Sequence, residues 1–237
     1  MPHRTLAVAT ALALFGLTAC WNGISVHVLA TVLAVRGDVT AIQGKKSEAV
    51  TADSVLSGGT LVRTAAGAEV DLMLVPGVLV RLFENSELRI ERLILVKDGN
   101  ETAGGMISRT AHVRLNRGKV VTHFLEPADA HGELIIENDQ VKLIQNPATA
   151  GLVAVDGKST RALSAKGTIF TSPTSSTDVG LTQGFFQVWP SDVHHPSPAA
   201  EDAMAQDDLA VAVKAAQELF NERETNLPKA NRFPRAR

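Results

Sequence analysis

A stretch of alternating apolar and polar residues between residues 54 and 95 constrains the fold of this chain most strongly. Every second residue is aliphatic in two runs, Val70-Asp71-Leu72-Met73-Leu74 and Leu88-Arg89-Ile90. A period of two is typical of a strand with one buried face, whereas a helix buries residues three or four positions apart. The stretch therefore predicts several short β-strands.

A tight turn is predicted inside this stretch at Pro76-Gly77, between two aliphatic runs. Proline presets the φ angle of the first central position of a type II turn, and glycine supplies the positive φ angle of the second. We therefore expect the chain to reverse there. The other glycines that we expect to form structural turns are Gly37, Gly59, Gly67 and Gly118.

The order of these residues resembles the core of the FecR-like domain. The matching positions are Gly58-Gly59-x-Leu61-x-x-Thr64-x-x-Gly67-x-x-Val70-x-Leu72-x-Leu74-x-x-Gly77-x-x-Val80-x-Leu82, then Asn85-Ser86-x-Leu88-x-Ile90. Residues 113–121 are similar to the strand, Leu-x-x-Gly turn and strand that follow in the family. The resemblance runs from Val32 to Trp189. It weakens after Ile144, where Asp156-Gly157 stands near the position of the family's Arg-Gly-Thr turn.

This resemblance implies an all-β domain over residues 32–190. Many short strands at close spacing favour a β-sandwich or a solenoid-like stack over an α/β sheet with intervening helices.

The N-terminus has the pattern of an export signal of the lipoprotein type. Arg4 precedes an apolar run that ends in Leu17-Thr18-Ala19-Cys20, and Cys20 is the sole cysteine of the chain. This ending resembles the lipobox of bacterial lipoproteins, whose cysteine receives a diacylglyceryl group and becomes the new N-terminus. We predict a signal peptide at 1–19, lipidation of Cys20 and a linker or anchor region at 20–31.

Alternatives to this processing stay open. Cys20 could be an unmodified cysteine of the leader, or an uncleaved anchor could use part of the span between Arg4 and Arg36, which has no lysine, arginine, aspartate or glutamate. The apolar run is shorter than the ~20 residues that usually span a membrane, which favours cleavage. Cleavage after Val28-Leu29-Ala30 would leave a soluble periplasmic protein. Because tryptophan rather than aspartate follows Cys20, we expect the periplasmic side of the outer membrane, with inner-membrane anchoring as the alternative.

One helix is predicted after the β domain. Ser197 suits an N-cap and Pro198 the first helical position. We expect residues 191–225 to hold a linker and this helix, packed on its own β domain rather than on a partner helix, and residues 226–237 to be a disordered tail. The residues that recur at helical spacing, and so predict its apolar stripe, are Leu209, Val213, Ala216 and Phe220.

Charge and composition argue against several classes of function. A formal net charge of −2 provides no broad positive field for nucleic acid. Aromatic residues make up 4% of the chain and tyrosine is absent, which argues against a stacking platform for single strands. A single cysteine excludes an internal disulfide and a cysteine metal cluster.

The sequence contains no glycine-rich phosphate loop, no paired-cysteine zinc spacing and no His-Glu-x-x-His motif. His194-His195 lie in a proline-bounded linker, where adjacent imidazoles do not converge on a metal. His112 and His123 lie in neighbouring predicted strands and could meet across a sheet, although a polar face is the simpler expectation for each. We predict no enzymatic activity, no cofactor and no metal.

FecR-like transducers carry a cytoplasmic N-terminal segment that controls a sigma factor, whereas about thirty signal-like residues precede the β domain here. We therefore expect a non-enzymatic, lipid-anchored binding, scaffold or signalling-associated module of the cell envelope. Its partner is expected to be an envelope protein or polymer, and not nucleic acid. The alternative is a carbohydrate- or peptidoglycan-associated structural protein, whose binding surface would include Phe185, Phe186 and Trp189.

Overall fold

The computed structural model describes residues 23–98, 106–126, 131–173, 178–191 and 195–230, with side chains described as far as residue 225. The predicted signal peptide, Cys20, His194 and residues 231–237 of the predicted tail lie outside the described residues.

The described residues form the expected all-β body with one long C-terminal helix. The strands are β1 (Ile24–His27), β2 (Ala30–Arg36), β3 (Val39–Gln43), β4 (Lys46–Ala49), β5 (Val55–Leu56), β6 (Leu61–Thr64), β7 (Glu69–Val75), β8 (Val78–Leu82), β9 (Glu87–Lys97), β10 (Met106–Phe124), β11 (His131–Glu137), β12 (Val141–Gln145), β13 (Thr149–Asp156), β14 (Ser159–Lys166), β15 (Ile169–Pro173), β16 (Val179–Leu181), β17 (Phe185–Trp189) and β18 (Ser197–Pro198). A 3-10 turn at Ala199–Glu201 leads into the helix, α1, at Ala203–Ala230.

The strands pair into two mainly antiparallel sheets that share β10. The order in the first sheet is β4-β3-β6-β9-β10-β11-β12-β15-β16, with β1 paired to the C-terminal half of β9. The order in the second sheet is β5-β2-β7-β8-β10-β13-β14-β17-β18. Strand β10 belongs to both because it is 19 residues long, and its last part leaves β9 and β11 to pair with β8 and β13. The pair β10–β11 is parallel.

The main core lies between the two sheets, as the alternation in the sequence predicts. Val78, Val80 and Leu82 of β8 point into it together with Leu88 and Ile90 of β9, and all five are fully buried. The intervening residues of these strands face outward. The body is therefore a sandwich.

Helix α1 covers the outer face of the second sheet, so the prediction that it packs on its own β domain is confirmed. Its contact side is rich in alanine, with Ala212, Ala215, Ala216 and Leu219 buried. The sheet contributes a second cluster of aliphatic side chains, Leu33, Met73, Leu79, Val121, Leu152 and Leu163. These are the outward residues of strands that also line the main core, so the second sheet is buried on both faces.

The predicted N-cap of this helix is wrong. Ser197 and Pro198 form β18 and pair with Phe186 and Phe185 of β17. The cap is Asp202, whose Oδ1 accepts a hydrogen bond of 2.8 Å from the backbone N–H of Ala205, which is the usual N-cap geometry.

The predicted apolar stripe is rotated relative to the docked face. Ala216 is buried and Leu209 is half-buried, but Val213 is 54% exposed and Phe220 is 37% exposed. The rotation arises because α1 also turns Asp208 and Glu218 toward cations of the sheet.

Ordered structure also extends beyond both ends of the predicted domain. Strand β1 and the first two residues of β2 occupy part of the segment 20–31 that the sequence suggests is a linker. At the other end α1 continues to Ala230, past residue 226, where a disordered tail is expected to begin.

Candidate functional site: a cleft beside the docked helix

An open cleft of about 510 Å³ lies where β10 passes from one sheet to the other. Its walls come from the β8–β9 connection, the middle of β10 and the β13–β14 hairpin. The lining residues are Phe83, Glu84, Asn85, Arg117, Gly118, Lys119, Ala154, Val155, Asp156, Gly157 and Arg161. The cleft thus combines an apolar floor with a charged rim, and its volume lies in the range typical of ligand pockets.

Gly118 and Ser86 shape the middle of the cleft. Gly118 has a φ angle of +88°, and a Cβ atom at this position would overlap Ser86. Ser86 is fully buried, and its Oγ accepts a hydrogen bond of 2.9 Å from the N–H of Lys119 and donates one of 3.0 Å to the carbonyl oxygen of Glu84. Gly118 is therefore not in the turn between two strands that the sequence predicts but at a bend within β10.

One buried carboxylate of α1 holds two cations of the rim. Asp208 is 3% exposed, and its Oδ1 lies 2.8 Å from Nζ of Lys119. Its Oδ2 accepts a hydrogen bond of 2.8 Å from Nε of Arg161 and lies 2.8 Å from Nη2 of the same guanidinium. A third rim cation, Arg117, lies 2.9 Å from Glu87. The helix therefore forms part of the cleft's electrostatic environment.

A second ion cluster lies under the C-terminal half of α1. Asp71 is fully buried and Arg81 is 4% exposed. The guanidinium of Arg81 donates bidentate hydrogen bonds of 2.7 and 2.9 Å to the two carboxylate oxygens of Asp71, and Nη1 donates a further one to Glu218. Arg36 adds a contact of 3.2 Å to Asp71.

The charges of this cluster reinforce one another. Burial disfavours the charge of Arg81, but hydrogen bonds and attraction from Asp71 and Glu218 outweigh it and raise the pKa of Arg81 above its ordinary value. The hydrogen bond from Arg81 in turn lowers the pKa of Glu218 against the opposing effect of burial. The ionised pair of Arg81 and Glu218 therefore ties the helix to the sheet.

The two histidines that could meet across a sheet do not do so, because both lie on β10. His123 points toward α1, where its Nδ1 lies 2.9 Å from the carbonyl oxygen of Ala216, and burial lowers its pKa. His112 lies on the first sheet, with Nε2 3.1 Å from Glu137.

Arg109 is a buried cation at the Pro76-Gly77 turn. It is 3% exposed, donates hydrogen bonds to the carbonyl oxygens of Pro76 and Leu125, and lies 4.9 Å from the ring centroid of Phe124. Burial, with repulsion from Arg223, lowers its pKa to about 10. The expected reversal is present, with a φ angle of +76° at Gly77. The buried Arg109 stabilises it through the hydrogen bond to the carbonyl oxygen of Pro76.

The other predicted turn glycines have the backbone conformation expected of them. Gly37, Gly59 and Gly67 have φ angles of +72°, +86° and +69°.

The aromatic residues predicted as a binding surface are not brought together on one surface. Trp189 is 2% exposed and belongs to the main core. Phe186 is half-buried and packs against the cluster under α1, and Phe185, its neighbour on β17, points to the opposite face. The sequence did not point to the cleft, because its residues come from distant segments and alternate with core residues.

The part of the chain that the structure describes contains neither a candidate metal cluster nor a membrane-crossing helix. Its histidine, cysteine, aspartate and glutamate side chains include no group of three or more that could hold a metal ion. Among the same residues, α1 lacks the sustained hydrophobicity of a membrane-crossing helix.

Comparison with known proteins gives weak similarity. No family model matches the sequence, and no curated protein matches it. Two crystal structures, at 1.65 and 2.50 Å resolution, of a putative anti-sigma factor from Parabacteroides distasonis ATCC 8503 are similar to this chain at 11% identity, with TM-scores of 0.39 and 0.40. Each match covers 54% of this chain and 53% of the other, so this chain spans about half the length of those structures.

Proposed function

We propose that this protein is a non-enzymatic FecR-like module of the bacterial cell envelope, anchored through a lipid on Cys20, that binds a segment of another envelope protein in the cleft beside α1. The observation that carries the proposal is the cleft itself, about 510 Å³ in volume, with an apolar floor and a rim of paired charges. It is a pre-formed concave site on a rigid double-sheet scaffold.

The chemistry of the rim favours a protein segment over a strongly charged ligand. Lys119 and Arg161 are neutralised by Asp208, and Arg117 by Glu87. A highly charged ligand would have to compete with these internal pairs, whereas an apolar side chain needs only the floor formed by Phe83 and its neighbours. The segment that fits best inserts an apolar side chain and places polar groups at the rim.

The same pairs support a binding role rather than a catalytic one. A general base or nucleophile has to be positioned at the reacting atom with a suitable pKa. The rim cations named above are engaged in ion pairs, and the hydroxyl group of buried Ser86 is hydrogen-bonded to backbone groups. The polar groups of the cleft that the structure describes thus stabilise its walls, which suits the binding of a ligand.

Strand β1 supports processing at Cys20 over cleavage after Ala30. Residues 24–27 pair with Lys97 to Ile94 of β9, Val28 is 4% exposed and Ala30 is fully buried. Cleavage after Ala30 would remove β1 and those two core residues and would leave half of one edge of β9 unpaired. Cleavage before Cys20 keeps all of these contacts.

Lipidation of Cys20 is tested with the full chain expressed in a double-membraned bacterium. We expect acyl labelling, membrane residence and a mature N-terminus at Cys20. We expect the Cys20→Ala variant to lose acyl labelling and to leave the membrane fraction. Unchanged membrane residence of that variant would instead indicate an uncleaved anchor and would refute lipid anchoring.

Partner binding is tested by filling the cleft. Ala154 lines it, so Ala154→Gln should block insertion of a side chain, whereas Ala210→Gln on the exposed side of α1 is the matched control. From envelope extracts we expect the wild type and the control to retain the same protein, and Ala154→Gln to lose it. Because Ala154 also packs against the cluster under α1, unfolding of this variant is followed in parallel, and loss of the partner counts only at temperatures where the variant is folded.

The polymer alternative gives a different result in the same experiment. Retention on isolated cell wall after its proteins have been digested, equal in all three proteins, would favour a carbohydrate or peptidoglycan ligand. It would place binding outside the cleft, so the proposed cleft function would be wrong.

A further inference from the structure

We propose that one end of the first sheet rests on the lipid surface in which Cys20 is anchored, so that the membrane orients the whole β body. We call this end the apolar tip and define it as Gly23, Ile24, Val96, Lys97 and Ile107. The inference depends on the proposed lipidation of Cys20 and goes beyond it by naming the protein surface that the lipid contacts.

The distance from the acylated residue to the apolar tip is short. Cys20 precedes Gly23 by three residues, and consecutive Cα atoms are about 3.8 Å apart, so the two Cα atoms are at most about 11 Å from each other. Gly23 is packed tightly into the tip, since a Cβ there would lie 2.5 Å from Cγ1 of Val96 and 2.8 Å from Cδ1 of Ile107. The chain thus joins the anchor to the sheet without a long spacer.

The apolar tip exposes aliphatic side chains at the place where the bilayer would be. Ile24 is 58% exposed and Ile107 is 42% exposed. They lie at the same end of the sheet, because Lys97 pairs with Ile24 of β1 on one side and with Met106 of β10 on the other. Apolar groups beside a lipid anchor can enter the boundary between head groups and acyl chains, which extends about 5–10 Å.

Lys97 adds a charge suited to this surface. It pairs with Ile24 of β1 and with Met106 of β10, the residue before Ile107, so at this end of the sheet its ammonium group can reach lipid phosphates while its methylene groups remain with the acyl chains. Single exposed aliphatic residues are common on protein surfaces. These two isoleucines differ because both lie close to the segment that leads to Cys20: Ile24 follows Gly23 in the chain, and Ile107 packs beside Gly23.

Contact at the apolar tip would fix the height of the cleft above the membrane. Strand β10 runs from the tip to the cleft, and ten residues separate Ile107 from Arg117. At about 3.3 Å per residue this part of the strand is roughly 33 Å long. The cleft would therefore face partners about 30 Å from the lipid surface rather than lipids.

The experiment uses the mature acylated protein in vesicles of phosphatidylethanolamine and phosphatidylglycerol. Acylation blocks the thiol of Cys20, so a cysteine introduced by Ile107→Cys can be labelled alone with a fluorophore. The matched control is Phe170→Cys, because Phe170 is 50% exposed but lies opposite Ile144 of β12, outside the tip. Accessibility is measured with a water-soluble quencher.

We expect the label at position 107 to be quenched at least fivefold less on vesicles than in the soluble Cys20→Ser form, and the label at position 170 to be quenched equally in both. Equal quenching of the two labels in vesicle-bound protein would overturn the inference while leaving lipid anchoring intact. Protection of position 107 without vesicles would indicate contact with a second copy of the chain and would also overturn it. Absence of acylation would refute the anchor and this inference together.

Discussion

The ion cluster between the second sheet and α1 gives the sharpest test of the physical reasoning. Arg81→Met removes the cation from beneath the helix but keeps most of the length of the side chain. Asp71 is then left fully buried with only Arg36, at 3.2 Å, as a neighbouring cation from this cluster. Breaking a buried ion pair from one side typically costs 3–5 kcal/mol. Because Arg36 compensates in part and its side chain is 44% exposed, we expect a cost of about 3 kcal/mol.

Urea unfolding followed by tryptophan fluorescence measures this cost, because Trp189 is buried in the folded protein. With a slope of roughly 2–3 kcal/mol per molar urea, the midpoint should fall by about 1–1.5 M. Arg63→Met is the matched control, since Arg63 forms a 2.8 Å ion pair with Glu87 but its side chain is 47% exposed. That surface pair should be worth less than about 1 kcal/mol.

The double variant Asp71→Leu/Arg81→Met separates a charge effect from a packing effect. Removing both charges leaves no unpaired buried carboxylate, because Glu218, which also loses Arg81, is 42% exposed and still has Lys214 at 3.9 Å, so most of the lost stability should return. If Arg81→Met shifts the midpoint no more than Arg63→Met does, Asp71 is not isolated from water and the account of this cluster is wrong.

Three other perturbations follow from the same structure. Gly77→Val should lower the melting temperature by several degrees, because a β-branched residue is strained at a φ angle of +76° and its Cβ would lie 2.7 Å from Nη1 of Arg109; an unchanged value would refute the assigned turn. The lowered pKa of His123 means that folding favours its neutral form, so the unfolding free energy should decrease as pH falls below about 6.5. His123→Gln should remove this part of the pH dependence of the unfolding free energy. Parallel pH profiles of the two proteins would contradict this. Asp208→Ala should speed amide hydrogen exchange in the first turns of α1 because Lys119 loses its partner, and unchanged exchange would show that this pair does not hold the helix.

The strands and reversals could be predicted because their causes are local in sequence. Alternation over five to seven residues is enough to identify β7 and its buried face, and Pro76-Gly77 dictates a turn whatever surrounds it. The pairing of Asp71 with Arg81 does not follow from that turn: continuing from the pair Val75–Val78 without a bulge would place Asp71 opposite Leu82, and a bulge between Met73 and Val75 shifts the register so that Asp71 faces Arg81. Nor did the sequence reveal that a helix covers the pair.

The orientation of α1 could not be predicted because contacts between distant residues decide it. Periodicity alone selects Val213 and Phe220 as an inward stripe. Asp208 instead binds Lys119, 89 residues away, and Glu218 binds Arg81, 137 residues away, and both pairs turn the alanine-rich side inward. The ion pairs of Asp208 and Glu218 therefore outweigh the free energy that burial of Val213 and Phe220 would provide.

The continuous course of β10 escaped prediction for a related reason. Gly118 looks like the end of a strand, because a positive φ angle usually marks a turn. Its neighbours are held by a different element, since Ser86 fills the space beside it and hydrogen-bonds the next residue, Lys119. The glycine therefore lets one strand change sheets instead of ending, and this bend creates the cleft.

The cleft and α1 depend on each other, which is why we regard the helix as part of the proposed binding module and not as an appendage. Asp208 of the helix neutralises Lys119 and Arg161, both of which line the cleft. Without the helix the rim would carry two unpaired cations beside an uncovered aliphatic sheet face. A partner that recognises an apolar floor with paired charges therefore recognises the docked state of α1, and its binding would stabilise that state by mass action.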